Sequence, residues 1–137
     1  MIKWTIKYTD FDDVERTEEH WFGLTQTELT EWNASETGGM EKTLKRIVNT
    51  ENTQRLIEVF KDLILRSYGE KSDDGRSFIK FRDGNRLSDD FSQTAAYDAL
   101  FMELATDDKK ATDFVKGIVP KSLGEQLSNN VAALPIT

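Results

Sequence analysis

Aspartates are the residues whose types and spacing could most readily do chemistry. Asp10, Asp12 and Asp13 form one group, Asp89 and Asp90 a second, and Asp107 and Asp108 a third. Paired carboxylates can exchange protons with a substrate or hold a hard cation. The first group lies in a turn-prone stretch and the other two stand where helices should begin, so capping and solvation account for all three. Ser72-Asp73-Asp74-Gly75 lacks the regularly spaced oxygens and distal Glu of a calcium loop and reads as a turn. His20 is the single histidine, and nothing near it in sequence supplies a nucleophile with an orienting acid. Gly38-Gly39 fits neither glycine-rich phosphate-binding pattern. With no cysteine, disulfides, zinc–thiolate sites and thiol nucleophiles are excluded. The sequence therefore predicts no catalytic residue, no metal site and no cofactor.

The elements that would position any site must come from a chain of 137 residues, the size of one ordinary domain. Hydrophobic residues at 37% and charged residues at 31% allow a packed core under a solvated surface. Lys and Arg number 18 against 25 for Asp and Glu, a net charge of -7 that opposes docking on phosphate backbones or anionic lipid. Dispersed basic residues such as Lys42, Lys45, Arg46, Lys109 and Lys110 read as solvated helix sides rather than a nucleic-acid stripe. The opening residues form no signal-like apolar run, and no stretch is apolar for the roughly 18 residues that a membrane span needs. Neither nucleic acid nor membrane is an expected partner, and cytoplasm is the expected compartment.

Ile2, Trp4, Ile6 and Tyr8 alternate with Lys3, Thr5, Lys7 and Thr9, the period of a strand with one buried face. Turn chemistry at 10–13 and a return strand over 14–24 complete a hairpin. Thr25 and Glu28 have capping-box spacing for a helix carrying Leu29 and Trp32, which Gly38-Gly39 should stop. Met40, Leu44, Ile47 and Val48 predict a second helix. Leu56, Val59, Phe60, Leu63, Ile64 and Tyr68 form the strongest stripe, with Gly69 as its stop. The stretch 71–87 reads as a loop with a short hairpin around Phe78 to Phe81. Ser88 predicts the N-cap of a fourth helix reaching about Ala105, Asp107 or Asp108 begins a fifth, and Pro120 a short sixth. The expected fold is α+β: one domain over 1–127, mainly helical with about five to six helices and an N-terminal antiparallel hairpin, followed by a flexible tail over 128–137.

The predicted fourth helix has two apolar sectors. At about 100° per residue, Tyr97, Leu100, Phe101 and Leu104 share one face, while Phe91, Ala95, Ala99 and Met102 fall on another. A helix buried between neighbours would look this way, and so would one whose second sector receives another protein. Leu65 likewise falls off the main stripe of its helix. Trp32, Leu65, Phe91, Ala95 and Met102 are accordingly the candidate protein-binding residues.

Three stretches resemble a known family. Leu56-Ile57-Glu58-Val59-Phe60-Lys61-Asp62-Leu63-Ile64-Leu65-Arg66-Ser67-Tyr68-Gly69-Glu70-Lys71-Ser72 is one. Phe91-Ser92-Gln93-Thr94-Ala95-Ala96-Tyr97-Asp98-Ala99-Leu100-Phe101-Met102-Glu103-Leu104-Ala105-Thr106-Asp107 and Phe114-Val115-Lys116-Gly117-Ile118-Val119-Pro120 are the others. Together they resemble the tail assembly chaperones of bacteriophages with long non-contractile tails, by length and order rather than by any catalytic signature. The resemblance implies a non-catalytic protein of the host cell cytoplasm that binds the tape-measure protein, shields its apolar helical segments and assists tail-tube assembly without staying in the virion. It implies no cofactor; the major tail protein is a further expected partner, and the second apolar sector of the fourth helix points to self-association or tape-measure binding. It also implies that this chain is the shorter product of a programmed frameshift. The alternative is a structural tail or head-tail completion protein retained in the particle. A small hydrolase using the acidic groups ranks behind both.

Overall fold

The computed structural model describes residues 1–35 and 53–120. Strand β1 (Ile2–Thr9) turns its alternate apolar residues inward, with Ile6 fully buried and Ile2, Trp4 and Tyr8 packed at the core's margin. Strand β2 (Glu15–Phe22) pairs with it antiparallel from Ile2 opposite Phe22 to Thr9 opposite Glu15. The turn between them is organised by one carboxylate. Asp10 accepts from the backbone N–H groups of Asp12 and Val14, both at 2.9 Å, and from the Arg16 guanidinium. Those bonds fold the chain tightly enough that Asp13 takes a φ of 62°.

Helix α1 (Gln26–Ser35) starts with the expected reciprocal cap: Glu28 N–H donates to Thr25 Oγ1 at 3.1 Å and Thr25 N–H to Glu28 Oε1 at 3.0 Å. It buries Leu29 and Trp32. Helix α2 (Thr53–Ser67) buries Leu63 and Ile64, whereas Phe60, expected at the centre of its stripe, is half-buried. The expected helix over Met40 to Val48, the stop at Gly38-Gly39, the sixth segment beyond Pro120 and the tail over 128–137 lie outside the described residues.

Gly69 does not stop α2. The helix ends at Ser67 and the chain passes directly into strand β3 (Tyr68–Lys71), where Gly69 pairs with Trp21 and Tyr68 with Phe22. Strand β4 (Phe78–Ile79) pairs antiparallel with β3 and completes a four-stranded sheet in the order β1-β2-β3-β4. Strands β5 (Phe81–Arg82) and β6 (Asn85–Arg86) form a separate ribbon closed by Asp83 and Gly84, at φ 52° and 80°, the geometry of a tight hairpin turn.

The single helix expected over 88–105 is two. Helix α3 (Leu87–Phe91) is followed by a break, and α4 (Ala95–Thr106) begins afresh. Thr94 makes the break: its N–H and its hydroxyl both donate to the Phe91 carbonyl, at 3.0 and 2.7 Å. The same Oγ1 accepts from Tyr97 N–H at 3.1 Å as the cap of α4. Ser88 is not the cap it was expected to be. It lies inside α3 and is buried, while Arg86 occupies the N-cap position without a side-chain bond. Helix α5 (Asp108–Ile118) starts as expected at Asp107, whose carboxylate accepts from Lys110 N–H at 3.0 Å.

Helices α4 and α5 cover the inner face of β1. There Trp4 meets Phe114 edge-on, with ring centroids 5.5 Å apart, and its Nε1–H donates to Glu103 at 3.1 Å. Behind them Phe91 stacks on Tyr68 at 4.1 Å and 6° and meets Phe22 edge-on. Five helices and six strands among the described residues make the fold mixed α+β, with the amino-terminal hairpin as the first half of its main sheet.

Candidate protein-binding surface

The five candidate residues separate into three groups. Phe91 belongs to the core, at 3% exposure, which corrects its expected place beside Met102. The break at Thr94 removes it from the helical phase of α4 and turns its ring onto Tyr68. Ala95 and Met102 do share α4, where Ala96, Leu100 and Leu104 are buried, Ala95 and Ala99 are half-buried, and Met102 is 51% exposed between Asp98 and Ala105. Tyr97, Leu100, Phe101 and Leu104 pack inward as the periodicity predicts.

Trp32 and Leu65 meet at a different place, a cleft of 480 Å³ whose walls come from α1, the end of α2 and the β5–β6 ribbon. Trp32 is itself largely buried, so it forms the floor of the cleft. The Arg66 guanidinium lies over the Trp32 ring at 4.5 Å, and that of Arg86 lies over the Phe81 ring at 5.1 Å. Phe81 is 58% exposed.

Lys80 holds these walls together. Its ammonium donates to the Gly23 carbonyl at 3.0 Å and to the Arg66 carbonyl, and it pairs with Glu28 Oε2 at 3.2 Å. Burial pushes the Lys80 ammonium below its ordinary pKa, and the Glu28 carboxylate beside it opposes that shift. Glu28 thus caps α1 with one oxygen and anchors Lys80 with the other.

The acidic groups serve the backbone. The Arg16 guanidinium and then the Val14 N–H hold the Asp10 carboxyl below the usual carboxylate range. The Arg76 N–H and the Ser72 hydroxyl do the same for Asp74. His20 contacts Glu18 at 3.1 Å and packs beside Tyr68 and Phe91. Among the described residues, no three His, Asp or Glu side chains converge as a metal cage would, and no helix is long and apolar enough to cross a membrane.

The phage tail assembly chaperone family matches this chain across residues 1–137. The chain belongs to that family. No curated protein and no solved structure matches it. Among this tail assembly chaperone's surface features, sequence reasoning reached Met102, Trp32 and Leu65 but missed Lys80, Arg66, Arg86 and Phe81. The apolar run at Phe78 to Phe81 was visible in the sequence. Its use was not, because Phe81 and Arg86 meet only across the Asp83-Gly84 turn and Lys80 finds its acceptors in distant segments.

Proposed function

We propose that the chaperone binds the tape-measure protein in the host cell cytoplasm, shields apolar helical segments of it while the tail tube assembles, and leaves before the virion is complete. It does so without catalysis or a cofactor. Self-association and contact with the major tail protein are further parts of the proposal. The observation that carries it is the family match over the whole chain. The exposed Met102 is in keeping with it, since a flexible, polarizable side chain adapts to varied apolar partners.

Coexpression with the tape-measure protein tests the reading: the two should co-purify, and purified virions should lack this chain. A stoichiometric amount of it in virions would instead make it a structural tail component. Met102→Glu, at an exposed site with Ala95 and Ala99 beside it, should preserve native helical circular dichroism while reducing co-purification or oligomer mass. Normal binding and mass in that variant would remove α4 from the interface.

A further inference from the structure

We propose that the cleft between α1, the end of α2 and the β5–β6 ribbon is a peptide groove that takes a bulky apolar anchor flanked by a carboxylate. The inference rests on the reading of the chain as a binder of tape-measure segments, and adds where and by what chemistry they bind. A volume of 480 Å³ falls within the range of about 300 to 1,000 Å³ typical of ligand pockets and has room for a large side chain. Trp32 and Leu65 give that side chain an apolar floor, and Phe81 an exposed apolar rim.

Charge decides the rest of the ligand. Arg66 and Arg86 both line the cleft, both are exposed, and among the described residues neither is paired with a carboxylate. Glu28, on the same wall, is already engaged by Lys80, leaving Glu31 as the one other acid of the lining among the described residues. Each guanidinium lies over an aromatic ring, and a guanidinium so placed can still grip a carboxylate with two parallel N–H bonds. A side chain already resting on a ring loses less entropy on binding than one that is free to rotate. On a chain with a net charge of -7, an acidic segment is repelled by most of the surface and drawn to this rim.

The test uses overlapping synthetic peptides that cover the tape-measure sequence, with affinities measured by fluorescence anisotropy on the full-length chaperone. Peptides that bind should carry Asp or Glu within one helical turn of a bulky apolar residue, and converting that acid to its amide should weaken binding. Arg86→Glu should weaken binding about tenfold or more, the order of one lost charge-assisted contact. Lys109→Glu, the same charge change outside the cleft, should not. Because Arg66 packs on a buried ring, Arg86→Glu and Phe81→Ser at exposed positions carry the test, with circular dichroism confirming the fold. Equal losses in Arg86→Glu and Lys109→Glu, or no effect of the acid-to-amide change, would overturn the proposal. Cleft variants that still co-purify with the tape-measure protein at the wild-type level overturn the groove and leave the proposed function standing. A wild-type chain that captures neither protein nor peptides ends both. Cleft variants that instead lower the oligomer mass in light scattering assign the groove to a second copy and refute the peptide.

Discussion

Gly69→Ala should destabilise the protein even though a glycine-to-alanine change within a strand would ordinarily help. Where the backbone is compatible, the methyl group stabilises by about 0.4 to 1 kcal/mol, because it restricts the unfolded chain. Gly69 is not among the glycines of positive φ, so conformation does not forbid alanine. Space does. An added Cβ would lie 2.8 Å from the Ile79 carbonyl oxygen and 3.0 Å from Phe78 Cζ. The ring can turn away, but the oxygen belongs to the neighbouring strand, where Glu70 pairs with Ile79. Overpacking of this kind costs about 1 to 3 kcal/mol, and a contact with backbone that cannot turn aside belongs in the upper half of that range, which leaves a net loss of about 1 to 2 kcal/mol after the entropic gain. The thermal midpoint should fall by roughly 3 to 8 °C for a domain of this size. Urea denaturation followed by tryptophan fluorescence and circular dichroism measures the loss directly, with an unchanged slope showing that the two-state transition is intact. Adding Phe78→Ala should relieve only the ring contact. A single variant with a midpoint equal to or above wild type would refute the reasoning and show that β4 yields freely.

Lys80→Met keeps the aliphatic stem but strands the Gly23 carbonyl and leaves Glu28 without its partner, so a loss of about 1.5 to 3 kcal/mol in urea denaturation is expected. Thr94→Ala removes the side-chain cap of α4 and the hydroxyl bond to the Phe91 carbonyl while keeping the backbone one, for about 1 kcal/mol in the same assay. Asp10 and Asp74 are both held below their ordinary value of 3.8, so each adds stability that is present above that pH and is lost as pH falls through the lowered native value. Asp10→Asn and Asp74→Asn should therefore each make an acid titration of stability less steep below about pH 4. A titration unchanged in both variants would show that these turns do not sense acid.

Features written in neighbouring residues were legible in the sequence. The alternation of β1, the reciprocal cap at Thr25 and Glu28 and the cap at Asp107 depend on residues within a few positions of one another. Features that depend on distant partners were not. Gly69 looks like a helix stop when read with α2 alone, and its close approach to Ile79 arises only after β3 and β4 pair. Phe91 has the right helical phase to sit beside Met102 until Thr94, a residue compatible with helix interiors, bonds back to the Phe91 carbonyl and interrupts the helix. The cleft is assembled from α1, α2 and the β5–β6 ribbon. No local pattern announces that an arginine from one of them will stack on an aromatic ring of another.

The absence of any connecting residue between Ser67 and Tyr68 shapes the order in which the sheet can form. The β1–β2 hairpin closes on local sequence, at small loop-entropy cost and on a microsecond scale. The third strand must bring Tyr68 and Gly69 to Phe22 and Trp21 from far along the chain. It arrives on the end of a helix rather than on a slack tether, so docking of α2 and extension of the sheet are a single encounter. Growth of the sheet beyond its first hairpin is then coupled to the formation and docking of α2, and helix-stabilising changes on the solvent side of α2 should quicken it.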